Sequence, residues 1–283
     1  MKIGCHPRRL ALILLVSLTS GALSAQKPEP PFEPKVGQAG KDVIWVPTPP
    51  ALVEKMMDLA KVTPQDYVID LGSGDGRNVI AAAKRGARAL GVEYNPQMVE
   101  LSRRNAEAAG VGGRAKFVRG DMYKADISKA TVLALFLLPS NMFQLRDKFF
   151  ALRPGSRIVS NTFYIQDWGA DRTETIEDCN EWCTAVLWIV PAKVQGTWRS
   201  ELAHRSATGA KVGRGELVLK QSFQMLSGTL NGAAIAEGRL RGEEIVFTAA
   251  DVRYSGRVRG DTIEGTATSS GGETKWRATR ARR

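Results

Sequence analysis

The hydrophobic rhythm of the chain changes once, near residue 193. Before that point, apolar runs of strand length alternate with stretches whose apolar residues recur every three or four positions. Residues 50–61 place Leu52, Val53, Met56, Met57, Leu59 and Ala60 on one side, the pattern of an amphipathic helix. A strand over 66–71, a helix over 77–85, a strand over 88–92 and a helix over 96–109 follow, the last ended by Gly110. Next come a strand over 115–119 and the apolar run 131–138, which fits a central strand buried on both faces. A helix over 141–152 stops at Arg153-Pro154-Gly155, and a strand over 156–161 follows. A helix over 172–183 and a strand over 184–190 complete the series. Such alternation predicts an α/β fold, a doubly wound and mostly parallel Rossmann-like sheet with helices on both faces.

Beyond residue 193 no helical period remains. Short alternating segments appear instead, among them Glu216-Leu217-Val218-Leu219-Lys220 and Ile245-Val246-Phe247. One unit repeats: Gly238-Arg239-Leu240-Arg241-Gly242-Glu243-Glu244-Ile245 matches Gly256-Arg257-Val258-Arg259-Gly260-Asp261-Thr262-Ile263. A glycine followed by an acid is turn chemistry, so each unit reads as strand, tight turn, strand. The tail is expected to be a small antiparallel all-β domain, a meander closed into a small barrel or half barrel.

The chemistry concentrates in Asp70-Leu71-Gly72-Ser73-Gly74-Asp75-Gly76-Arg77-Asn78, between a strand and a helix. Glycine at every second position permits a sharp turn and leaves no Cβ between backbone and ligand. A strand, a glycine turn and a helix N-terminus together hold nucleotide-like cofactors in open α/β sheets. The spacing is G-x-G-x-G, not the G-x-G-x-x-G of dinucleotide sites. Asp70 also closes the strand, where a carboxylate would repel a pyrophosphate but suits the ammonium and sulfonium of S-adenosylmethionine. Glu93 closes the second strand and Asp121 follows the third. Singly these residues have ordinary structural readings: a helix cap for Asp70, solvent-facing strand ends for Glu93 and Asp121, core filler for Met122. Three carboxylates closing three successive strands point instead to one ligand.

On these motifs, residues 43–192 resemble the class I S-adenosylmethionine-dependent methyltransferases. The resemblance implies that Asp70 with Gly72, Ser73, Gly74 and Gly76 holds the amino-acid end of the cofactor. It implies that Glu93 takes the ribose hydroxyls and Asp121 the adenine amino group, with Met122 packing on the adenine. Gly-Ser-Gly-Asp-Gly-Arg, Trp45-Val46-Pro47-Thr48-Pro49 and Gly91-Val92-Glu93-Tyr94-Asn95-Pro96 further resemble bacterial relatives of the mitochondrial protein-lysine methyltransferases. Those mitochondrial enzymes modify the c ring of ATP synthase and the adenine nucleotide carrier. The implied acceptor is a lysine on a small membrane or envelope protein. The acceptor is expected over the strand ends, beside Leu138-Pro139-Ser140-Asn141 and Ser160-Asn161-Thr162-Phe163-Tyr164. The first of these lacks the acid or asparagine, two prolines and aromatic of base-modifying enzymes, so nucleic acid is not favoured. No catalytic base is named: His6 falls in the leader and His204 stands alone, which also leaves no metal site. The alternative reading is a catalytically inactive methyltransferase fold serving as a cell-envelope binding module.

Residues 1–25 read as a secretory signal. Lys2, Arg8 and Arg9 precede the apolar run 10–18, and Ala22-Leu23-Ser24-Ala25-Gln26 offers a small-residue cleavage site. The expected location is therefore periplasmic or secreted, with membrane anchoring if the signal stays uncleaved. Residues 26–42 follow as a proline-rich linker, 43–192 as the methyltransferase domain and 193–283 as a basic antiparallel β domain. The formal charge is +11, and residues 193–283 hold 16 Lys/Arg against 9 Asp/Glu. A basic face of that kind can meet an anionic envelope surface or simply be solvated. Cys179 and Cys183 remain after removal of the leader. An oxidising compartment favours their closure, a regular helix opposes it, and two buried thiols are the simpler expectation.

Overall fold

The computed structural model describes residues 32–206 and 209–281, with Met1 and Gly4; most of the expected signal and the first part of the linker lie outside the described residues. An opening helix, α1 (Pro50–Leu59), buries Leu52, Val53, Met56, Met57 and Leu59, as its apolar spacing requires, and starts with proline where no backbone donor is needed. Then β1 (Tyr67–Leu71), α2 (Arg77–Lys84), β2 (Arg88–Glu93), α3 (Pro96–Ala108) and β3 (Ala115–Arg119) build one half of a sheet. The chain returns to the other side of β1 with β4 (Val132–Leu135), α4 (Pro139–Phe150) and β5 (Arg157–Asn161). Two more strands, β6 (Arg172–Thr175) and β7 (Thr184–Ile189), complete the order β3-β2-β1-β4-β5-β7-β6. The first five strands are parallel, and β7 runs antiparallel to both its neighbours.

Central strands carry apolar side chains on both faces. In β1, Val68 joins a core with Leu52, Met56, Val79, Ala82 and Val99, while Ile69 joins the opposite core with Leu133, Met142, Phe149 and Trp188. Burying one such large side chain contributes about 1.5–3 kcal/mol. At the amino ends of the strands, the Asp66 carboxylate accepts hydrogen bonds from the Thr131 hydroxyl (2.7 Å) and the Thr63 amide (2.8 Å) and pairs with Arg157. One buried acid thereby ties the starts of β1, β4 and β5 together. The strand connections diverge between β1 and β4, which opens a crevice at the opposite, carboxyl ends.

The helix expected over 172–183 is absent. Arg172-Thr173-Glu174-Thr175 alternates and is rich in β-branched threonine, so it adds an edge strand. Asp178 and Trp182 hold φ of 51° and 59°, values a helix cannot continue through. Cys179 and Cys183 close a disulfide with Cα atoms 5.7 Å apart, in place of the two thiols expected. The objection of helical strain vanishes with the helix.

The tail forms a closed barrel of eight strands: β8 (Gly196–Ser206), β9 (Gly209–Ser222), β10 (Met225–Leu230), β11 (Ala233–Arg241), β12 (Glu244–Ala249), β13 (Val252–Arg259), β14 (Thr262–Ser269) and β15 (Gly272–Arg280). The repeated unit falls on β11-turn-β12 and β13-turn-β14, with Gly242 and Gly260 at φ of 62° and 58° in the turns. Alternate residues point inward, and Trp198, Leu217, Phe247, Tyr254, Ile263 and Trp276 fill the interior. The barrel is joined firmly to the sheet. Phe223 stacks on Trp168 (centroids 5.0 Å apart), Arg239 pairs with Asp171 (2.8 Å), and the Ala192 amide donates to the Gly242 carbonyl.

Candidate active site

The glycine turn is pinned to the end of β2. The Gly72 and Ser73 amides donate to the Val92 carbonyl (2.8 and 3.2 Å), and the Gly74 amide donates to Glu93 Oε2 (3.0 Å). Gly72 and Gly74 adopt φ of 74° and 55°, which other residues rarely do. A Cβ on Gly72 would meet only Leu137 Cδ2, at 3.4 Å, so its face is open. Gly76 differs from the expectation. It does not line the crevice, and a Cβ there would strike Phe117 at 2.8 Å, so its glycine serves packing of the turn against β3. Ser73 is buried with its hydroxyl unpartnered.

The three strand-end acids line one crevice together with Met122. Asp70 is 3% exposed; its Oδ2 accepts a hydrogen bond from Asn78 Nδ2 at 3.2 Å. Burial pushes its carboxyl well above the usual carboxylate range; the Asn78 bond opposes this, while Glu93 and Asp75 add to it. Glu93 Oε1 accepts from the Asn95 amide at 2.8 Å, which orients it inward at the start of α3. Asp121 accepts from the Tyr123 amide (2.9 Å) and pairs with Lys41 (3.3 Å), and both hold its carboxyl below the usual range.

A strap that sequence reasoning missed roofs this crevice. Residues 38–45, the first of them assigned to the linker, fold back through an Ala39–Ile44 bridge and the Trp45 amide donating to Gln38. A Cβ on Gly74 would meet the Trp45 indole at 2.8 Å, and Lys41 lies 5.5 and 5.8 Å from the rings of Tyr94 and Tyr123. Arg77, paired with Asp75, donates to the Thr48 carbonyl (2.5 Å), and Asn161 at the end of β5 donates to the Thr48 hydroxyl (3.2 Å).

Past the turn the crevice becomes apolar. Phe136, Leu137, Leu138, Phe163 and Trp182 line it. Of the two segments expected there, Leu138 remains extended, whereas Pro139-Ser140-Asn141 opens α4. Asn141 is buried and donates to the Tyr123 hydroxyl at 2.6 Å. Asn78 closes the motif read from the sequence but was given no role there, and Trp182 escaped that reading, hidden in a segment read as helical.

The residues present fit S-adenosylmethionine. Asp70 is a buried carboxylate that meets the Asn78 amide but no cation among the described residues, and an ammonium would supply one. The Ser73 hydroxyl and Asn78 Oδ1 are buried without partners, and Gly72 leaves backbone open to a ligand. The empty volume is about 1220 Å³, the open mouth included.

The family described as the ANTKMT methyltransferase domain matches residues 70–172. A protein-lysine N-methyltransferase of Saccharolobus islandicus is 41% identical over 151 residues, covering 52% of this chain and 94% of that protein. The mouse adenine nucleotide translocase lysine N-methyltransferase is 39% identical over 118 residues, covering 41% of this chain and 51% of its own length. Among solved structures, an RNA methyltransferase from Salinibacter ruber in complex with S-adenosyl-L-homocysteine is 44% identical, with a TM-score of 0.50, covering 53% of this chain and 96% of that one.

Proposed function

Because this chain belongs to the S-adenosylmethionine-dependent methyltransferases, we propose that it transfers the methyl group to a lysine amine of a protein. The observation that carries the cofactor roles is the shared crevice of Asp70, Glu93 and Asp121 at the ends of three adjacent strands. In this reading Asp70, with the backbone of Gly72, Ser73 and Gly74, holds the ammonium end. Glu93 takes the ribose hydroxyls, Asp121 and Met122 take the adenine, and Gly76 supports the turn from behind.

When bound, the cofactor supplies an electrophilic methyl carbon on a sulfonium; the protein supplies alignment and dryness. Trp45 and the strap keep water from the turn. An acceptor ammonium must lose its proton, which from a pKa near 10.4 costs roughly 4–5 kcal/mol at neutral pH. The apolar wall of Phe136, Leu137, Phe163 and Trp182 disfavours the charged amine and lowers that cost.

Charge supports a cationic acceptor over a nucleic acid. Apart from the buried Asp70, the acids Asp42, Asp75, Glu93 and Asp121 line the crevice, against Lys41 and Arg77 among the described residues, each already paired with an acid. Such a mouth attracts ammonium and repels phosphate. Export through residues 1–25 belongs to the same reading, and the Cys179–Cys183 bond supports it, since such bonds persist in oxidising compartments. The test supplies methyl-labelled cofactor with envelope protein and, separately, total RNA. Methyl-lysine in an acid hydrolysate is expected; label in RNA with none in protein would overturn the acceptor.

A further inference from the structure

Trp182 reaches the crevice from an unusual carrier. The eight residues 176–183 join β6 to β7 without helix or strand between them, and the Cys179–Cys183 bond closes the half that ends beside Trp182. Trp182 sits immediately before Cys183 with φ of 59°, and Thr162, immediately before Phe163, holds 56°. Non-glycine residues held in that region cost of order 1 kcal/mol or more and persist only where their surroundings enforce them. The two strained positions aim two rings at the same place. Phe163 lies 5.3 Å from Trp182, and Phe136 lies 5.5 Å from Trp182 and 6.0 Å from Phe163. All three rings are half-buried and line the crevice beyond the glycine turn.

We propose that these rings form the shelf that receives the hydrocarbon stem of the acceptor amine, and that the Cys179–Cys183 bond holds Trp182 in the shelf, placing acceptor binding under thiol–disulfide control. The proposal rests on the amine-acceptor reading above. Aromatic faces suit this task because they pack flat on the methylene groups of such a stem. Phe136 and Phe163 are set by strand ends, β4 and β5. Trp182 is set by a loop, and the disulfide is the covalent restraint on that loop. A dithiol such as dithiothreitol breaks the S–S bond by delivering two electrons and two protons, leaving two protein thiols and its own cyclic disulfide. The glycine turn, Asp70 and Glu93 belong to other elements, so reduction leaves the cofactor side in place.

The test uses the full chain loaded with S-adenosylhomocysteine and labelled with 5-fluorotryptophan, one of whose six tryptophans is assigned to Trp182 through Trp182→Phe. Hexylamine, a free amine on an alkyl stem, is titrated in and followed by fluorine NMR. The Trp182 signal is expected to move in the oxidised protein and to move far less after reduction. With poly-L-lysine as methyl acceptor, reduction is expected to raise KM about tenfold while the affinity for S-adenosylhomocysteine changes less than twofold. Trp182→Ala shows the raised KM in both redox states, and the Cys179→Ser/Cys183→Ser protein ceases to respond to dithiothreitol. A Trp182 signal that ignores hexylamine, or responds equally in both states, overturns the proposal. A signal that moves as expected in a protein unable to methylate poly-L-lysine upholds the shelf and sinks the lysine reading instead.

Discussion

Asp70 is a carboxylate kept under conditions that penalise its charge. Because its folded pKa is raised, the unliganded native state holds the proton more tightly than the unfolded chain does. Its contribution to stability is therefore largest at low pH and is lost as pH rises from the ordinary carboxylate value through the raised one. Asp70→Asn should remove that slope, raising the unliganded Tm at pH 8 relative to the parent, as a calorimetric pH series would show. The same change should weaken S-adenosylmethionine binding by about 2 kcal/mol, roughly 30-fold, by loss of a charge-assisted bond. Cofactor affinity of the parent should rise with pH, and titrations in buffers of differing ionisation heat should register proton release. Gly91 makes a different demand. A Cβ there would lie 2.5 Å from Ser73 Oγ and 2.6 Å from Phe117 Cδ1, both embedded. Gly91→Ala should destabilise the protein by about 1–3 kcal/mol in denaturant melts. The strand-end acids were legible because each sits in a local pattern of strand, acid and turn. The retreat of Gly76 from the crevice was not, since only the fold shows that Phe117, 41 positions on, lies behind it.

Elements with strong periodicity were readable to within a residue or two: α1 to α3, β1 to β3 and β5 follow from runs that bury one face or two, whereas the run read as a strand over 131–138 stays in the sheet only over Val132–Leu135. The segment after β5 was not. Residues 172–183 contain apolar and charged residues at spacings a helix can accept, and nothing local announces two left-handed residues and a disulfide. The Asp66 cluster shows how elements are held once formed. Burial pushes the Asp66 pKa up, but the Thr131 hydroxyl, the Thr63 amide and the Arg157 guanidinium outweigh it, and the net shift is downward. Its stabilisation is thus present above the ordinary carboxylate pKa and disappears as pH falls through the lowered one, the reverse of Asp70. Asp66→Ala should cost about 2 kcal/mol at pH 7, and the difference from the parent should shrink toward pH 2. Urea melts at both pH values would measure it.

At the scale of the whole molecule, sheet and barrel share an apolar and ionic seam built from Trp168, Phe150, Phe223, Asp171 and Arg239. Phe223→Ala should cost about 2 kcal/mol and split a single calorimetric transition into two, because the ring bridges both bodies. Such long-range seams leave no trace in periodicity, which is why the barrel was expected but its attachment was not. The roof poses the same problem: Lys41 meets Asp121 and Thr48 meets Asn161 across 80 and 113 residues. That roof has a kinetic corollary. Because residues 38–45 line the crevice that holds the cofactor in this reading, departure of the spent nucleoside should require that segment to move, so departure, rather than bond making, should limit each cycle. Rapid mixing would then reveal a first round faster than all later ones.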